Sequence, residues 1–167
     1  MNKPLVSIVM GSDSDLSVME EAVRILQEFG VQHEVVITSA HRSPKRTHQY
    51  IRGLIRRGVR VVIAGAGGAA HLAGTIAAQT TLPVIGVPIP SSPLNGLDSL
   101  LSIVQMPSGV PVATVGIGKA GSKNAGLLAI QILAMASPLL SAKLSRYKQE
   151  LERGVGRKAK KLHVKPS

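Results

Sequence analysis

The segment Ser39-Ala40-His41-Arg42-Ser43-Pro44 sets an imidazole beside a guanidinium. Imidazole titrates near neutrality and can give or take a proton, whereas a guanidinium stays cationic and anchors anions. The pair falls where an extended run should end and a helix begin. Glu34-Val-Val-Ile-Thr38 is β-branched and apolar, which reads as a buried strand. Ser43 suits an N-cap and Pro44 suits the first helical turn. In open α/β sheets, ligands sit outside the carboxyl ends of the strands. A buried, unpaired arginine is too costly for a core, so the position marks a proton donor beside an anion anchor.

Three further loops belong to the same expected edge. Gly11-Ser12-Asp13-Ser14-Asp15 offers close backbone approach, hydroxyls and free N–H groups for a phosphate or ribose, with Asp15 as an acceptor for sugar hydroxyls. The same residues equally serve as an ordinary helix cap. The string is neither the GxxxxGK[ST] loop nor GxGxxG. Gly65-Ala66-Gly67-Gly68-Ala69-Ala70-His71 has almost no side chains, so its backbone N–H groups could line a tight pocket for a planar ring or small anion. His71 reads either as a satisfied structural histidine at a helix start or as part of the chemistry. Pro88-Ile-Pro-Ser-Ser-Pro-Leu-Asn-Gly96 is long enough for a lid, and its prolines equally suit an inert spacer. The histidines lack i,i+4 ligand spacing and there are no thiolates, so no metal is expected. No G-x-S-x-G elbow points to a serine hydrolase.

The elements that must hold these loops alternate along the chain. Strands are expected at Leu5–Met10, His33–Thr38, Arg60–Ala64, Val84–Val87 and Val112–Gly116. Helices are expected at Ser14–Phe29, Pro44–Arg57, Ala69–Thr80, Leu97–Val104 and Lys119–Ala136, with a last one over Leu139–Glu152. Leu16, Met19, Val23 and Leu26 should face inward on the first helix, and Tyr50, Ile51, Leu54 and Ile55 on the second. Short strands with crossover helices predict a flavodoxin-like three-layer α/β/α sandwich with a central parallel sheet. From Asn124 to Ala142 there is no charged residue. A helix apolar on every face is buried on every face; burial under the C-terminal helix is one cover, and subunit packing is the favoured one.

Composition bounds the rest. At 167 residues the chain suits one domain with an appendage. Aromatics are 2% of residues, so the core must be aliphatic, and stacking platforms for single-stranded nucleic acid are scarce. The absence of cysteine removes disulfides and thiolate catalysis and fits a reducing compartment. The N-terminal apolar run is too short for a signal peptide, and Ala125–Leu140 is too short and too polar to span a membrane. The expectation is a soluble, cytoplasmic protein. Of the formal charge of +11, most lies from Lys143 onward, where nine Lys/Arg face only Glu150 and Glu152. Residues 1–152 are read as one domain and 153–167 as a basic, flexible tail, because blocks of like charge usually stay disordered. Nucleic acid is not the expected partner.

Five blocks in order resemble one family. They are Ile8-Val-Met-Gly-Ser-Asp-Ser-Asp15, Ser39-Ala-His-Arg-Ser-Pro44, Ile63-Ala-Gly-Ala-Gly-Gly-Ala-Ala-His-Leu72, Asp98-Ser-Leu-Leu-Ser-Ile-Val-Gln-Met-Pro107 and Gly116-Ile-Gly-Lys-Ala-Gly121. Over about residues 5–150 the chain resembles the N5-carboxyaminoimidazole ribonucleotide mutases of purine biosynthesis. The resemblance implies an isomerase, a flavodoxin-like fold, a homo-octamer with sites at subunit junctions, a ribonucleotide substrate, and no metal, ATP, biotin or other cofactor. It implies that Ser12, Asp15 and Arg42 bind the ribonucleotide, with Arg42 on its phosphate, and that His41 is the general acid/base. Gly11, Ser39, Ala40, Gly67, Gly68, Ala69 and His71 fall in its substrate-binding blocks, with the role of His71 left open. Gly67, Gly68, Ala69 and Ala70 could wall a dry pocket that traps CO2. A sister branch carboxylates aminoimidazole ribonucleotide directly with CO2 and typically has Lys where Arg42 stands, so Arg42 favours the mutase branch. The Pro90–Asn95 stretch is richer in proline than the family pattern. A non-catalytic nucleotide-binding module is the third reading.

Overall fold

The computed structural model describes residues 3–162 of the chain. Its elements run β1 (Val6–Met10), a 3-10 turn (Asp13–Asp15), α1 (Leu16–Phe29), β2 (His33–Ile37), α2 (Pro44–Arg52), α3 (Leu54–Arg57), β3 (Val61–Gly67), α4 (Leu72–Ala77), β4 (Val84–Ile89), α5 (Leu97–Val104), β5 (Ala113–Thr114), α6 (Gly118–Ala134) and α7 (Pro138–Leu162). The sheet is parallel throughout, in the order β2-β1-β3-β4-β5. That order is the flavodoxin-like one, and its switch point lies between β1 and β3. The fold is the expected three-layer α/β/α sandwich.

Alternation along β1 divides the core in two. Val6, Ile8 and Met10 pack under α1 and α6 with Ile25, Leu26, Ala125, Ala129 and Ile130. Val9 points to the other layer, with Ile51 of α2, Leu54 of α3, Ile76 of α4 and Ile103 of α5. β1, β3 and β4 are almost wholly buried, which explains their continuous aliphatic sequence. Against α1, α6 presents Ser122, Ala125, Gly126 and Ala129, all buried. Ala22 N of α1 donates to Ser122 Oγ at 3.2 Å.

The structure moves several expected boundaries. The helix expected over Pro44–Arg57 breaks at Gly53 into α2 and α3, and Ile55 turns outward, 60% exposed. Leu16 is also exposed, because it opens α1 before that helix has settled on the sheet. β3 continues through Gly67 rather than stopping at Ala64, because its backbone still pairs with β4 as far as Ile89. α4 starts only at Leu72, and β5 keeps just two paired residues. α6 is not buried on every face within one chain: Gln131 and Met135 reach solvent. The segment expected to be a flexible tail from Arg153 is helical as far as Leu162, since Arg, Lys and Ala are good helix formers. The rest of that tail, 163–167, lies outside the described residues.

Candidate active site

The loops after β1, β2, β3 and β4 meet in one cleft of about 320 Å3 at the carboxyl edge of the sheet, over the switch point. Gly11, Ser12, Asp15, Ser39, Ala40, His41, Arg42, Gly67, Ala69 and His71 all line it. Two expected wall residues do not. Gly68, at φ 59°, is not among the residues that line it, and Ala70 is 1% exposed within the core on the α4 side. A run of small residues has no periodicity from which to read direction, so the sequence could not separate these from their neighbours.

His41 and His71 come from different loops and form a hydrogen bond, Nε2 to Nδ1, at 2.8 Å. Their rings meet edge to face, with centroids 4.9 Å apart at 84°. Such a bond needs one ring nitrogen as donor and the other as acceptor, so at least one ring is neutral while it stands. His71 occupies the residue before α4, and its hydrogen bond into the cleft ties it to the site rather than to the core.

Arg42 Nη2 donates to the Gly11 carbonyl at 2.9 Å, which ties the second loop to the first. A guanidinium has five N–H donors, so this bond uses one of them. The Arg42 backbone N donates to Ser39 Oγ at 3.2 Å. Ser43, expected to cap α2, makes no side-chain cap. Its hydroxyl instead donates to the Ser39 carbonyl at 3.1 Å and accepts from Ser39 N at 3.2 Å, closing the turn that carries His41. Pro44 opens α2 as expected.

Ser12 and Asp15 form a capping box on the 3-10 turn. Asp15 Oδ2 accepts Ser12 N at 3.0 Å, and the Ser12 hydroxyl donates to Asp13 at 3.0 Å. Helix capping is therefore part of what these residues do, within the cleft. Burial pushes the Asp15 carboxyl above the ordinary carboxylate range, partly opposed by the Ser12 and Gly11 N–H groups and by Arg42. The Ser12 hydroxyl holds the Asp13 carboxyl below that range.

Residues 5–154 match the family model described as AIR carboxylase. The chain belongs to this family. An N5-carboxyaminoimidazole ribonucleotide mutase of Pyrococcus horikoshii is 62% identical over 96% of this chain and 89% of its own. The Thermotoga maritima protein of the same name is 57% identical over 95% and 92%. A crystal structure of Treponema denticola PurE is similar at a TM-score of 0.86 and 28% identity, over 97% of this chain and 100% of that one.

Ser14 and Ala66, within the first and third expected loops, also line the cleft of this AIR carboxylase family member, and two lining residues had not been singled out: Leu72 and Ser91. Ser91 had a signal. It lies in the proline-rich loop, and any Cβ on Gly67 would collide with its side chain, so the glycine exists to admit it. That loop is also braced: Ser92 Oγ donates to Asp98 Oδ2 at 2.7 Å, and Ser99 Oγ donates to the Ile89 carbonyl at 2.9 Å.

Proposed function

We propose that this protein is an N5-carboxyaminoimidazole ribonucleotide mutase of purine biosynthesis, an isomerase that moves a carboxylate from the exocyclic nitrogen of the substrate to ring carbon C4. Curated relatives of that name at high identity and the family match support this reading. One geometric observation carries it: a hydrogen-bonded histidine pair and an arginine share a cleft with a buried aspartate.

In this mechanism Arg42 holds the phosphate, with Ser12 and Asp15 on the ribonucleotide. The N–CO2 bond breaks, and protonated His41 delivers its proton to the exocyclic nitrogen, leaving CO2 and aminoimidazole ribonucleotide. C4 attacks the retained CO2. Neutral His41 then takes the C4 proton, which restores its starting state and balances the exchange. Gly67 and Ala69 supply small walls that leave room for CO2 beside the ribonucleotide. His71, bonded to His41, holds its ring in one orientation.

The protein works as a homo-octamer in the cytoplasm, and among the described residues no helix is long and apolar enough to cross a membrane. The uncharged stretch through α6, with Met135 and Leu139 left exposed, supports burial against another subunit. A monomer in sedimentation at micromolar concentration would remove the assembly.

The deciding assay compares synthetic N5-carboxyaminoimidazole ribonucleotide with aminoimidazole ribonucleotide plus bicarbonate. Fast conversion of the first, with no advantage from the second, is expected. Preference for the second would make the enzyme a direct carboxylase, and tight binding without turnover a nucleotide-binding module. In the same assay His41→Asn should lower kcat by roughly 100- to 10,000-fold, as loss of a general acid/base does.

A further inference from the structure

The geometry points to Thr47 as a positioning residue for the turn that carries His41 and Arg42. It lies on α2, one turn beyond Pro44, and its side chain is turned away from the cleft and buried at 1% exposure. Thr38, just past the end of β2, is 2% exposed. Their hydroxyls meet at 2.8 Å. Thr47 Oγ1 also lies 3.1 Å from the Ser39 carbonyl and 3.1 Å from the Ser43 carbonyl.

Counting protons orders this network. Each hydroxyl has one hydrogen. Thr47 sends its own to the carbonyls of Ser39 and Ser43, and takes the Thr38 hydrogen in return. The Ser39 carbonyl also receives Ser43 N at 2.9 Å and Ser43 Oγ at 3.1 Å. That carbonyl is therefore the knot of the turn, and Thr47 fastens it to two elements at once: its own helix and, through Thr38, the end of β2. Thr38 N in turn donates to the Met10 carbonyl at 2.9 Å, so the fastening reaches β1 and the first loop.

The two side chains that point the other way from this knot are exposed in the cleft and depend on it. His41 must meet His71 across loops, and Arg42 must meet Gly11. Apart from those contacts both side chains are exposed, so the turn sets where they start. A misplacement of about 1 Å far from the chemistry can lower a rate a hundredfold. Thr47 itself does not line the cleft, so it acts only through the turn.

The inference rests on the roles of His41 and Arg42 given above, and its test separates the two. Thr47→Val keeps the shape and removes the hydroxyl, whereas Thr47→Ser keeps the hydroxyl. For each purified protein we would measure kcat and KM with N5-carboxyaminoimidazole ribonucleotide, and the His41 imidazole resonances by NMR without substrate. Thr47→Val should shift the His41 resonances and lower kcat/KM by about ten- to a hundredfold per folded molecule, and Thr47→Ser should restore both. Thr38→Val, which severs the strand side of the same knot, should move both readouts in the same direction and serves if Thr47→Val does not fold. A merely structural hydroxyl would lower the melting temperature while kcat, KM and the His41 resonances of the folded protein stayed at wild type. That result in either valine variant overturns the inference. An inactive wild-type enzyme would overturn the functional reading instead, and the imidazole spectrum would still test Thr47.

Discussion

Asp15 shows how a single cleft residue can work against the fold that holds it. Its carboxyl is buried, and burial raises its pKa above the unfolded value near 3.8. The folded state thus favours the protonated acid. The resulting stability is present at low pH and is lost as pH rises from the unfolded pKa through the raised one. At neutral pH the charged form is a cost, accepted in a position facing Arg42. Asp15→Asn keeps an acceptor for Ser12 N and removes the charge. It should melt no lower than wild type at pH 7, with the difference vanishing below the usual carboxylate range, while kcat/KM falls about tenfold or more. Thermal melts across pH and steady-state kinetics check both halves. His41 and Arg42 were legible at this scale because a strand end and an N-terminal proline frame them. Ser91 was not, because its contact with Gly67 joins two loops far apart in sequence.

Between the elements, the edge strand β2 is held by a polar cluster rather than by packing. Val35 and Ile37 remain more than 40% exposed on its outer side. On its inner side Glu34 accepts Arg57 Nη2 at 3.0 Å and the Tyr50 hydroxyl, which also bonds Ser7 of β1. The Arg57 guanidinium sits 4.4 Å from the centre of the Tyr50 ring. The cluster joins β1, β2, α2 and α3, the frame behind the His41 turn. Burial first, then Glu34, pushes the Tyr50 hydroxyl from 10.0 up to about 12. In the unfolded chain it ionises near 10, so folding holds a proton there that the unfolded state has released. Its contribution to stability is present below pH 10 and is lost as pH climbs toward 12. Tyr50→Phe should cost about 1–3 kcal/mol at neutral pH by stripping a donor from Glu34. The gap to wild type should narrow above pH 10, as read from denaturant titrations. Helix periodicity put Tyr50 inward and Gly53, a weak helix former, marks where the helix breaks, but nothing local in the sequence pairs Tyr50 with Glu34.

Across the whole molecule, the alternating elements and the three-layer parallel architecture were readable because aliphatic runs alternate with amphipathic helices. The reach of α7 was not, because charge repulsion and helix propensity oppose one another there and propensity prevails. Its first half is seated: Leu140, Leu144 and Tyr147 pack on the core, Tyr147 meets Phe29 edge-on at 5.6 Å, and Lys143 Nζ donates to the Phe29 carbonyl at 2.8 Å. Further along, Leu151 and Val155 are exposed. Ending the chain after Glu152 should therefore leave turnover unchanged and stability within about 0.5 kcal/mol, while circular dichroism loses the helix of the removed turns. A drop in turnover would place that end of α7 in the working enzyme.

The two-sided core also has a consequence for synthesis. Every residue that lines the cleft has left the ribosome once Ser91 has emerged, yet beside α1 the same face of β1 and β3 still awaits Ala125, Ala129 and Ile130 of α6. For that interval the nascent chain holds all the residues that line the cleft above an aliphatic face only half covered. Chaperone capture during translation, or aggregation of chains stalled before α6, should concentrate in that window.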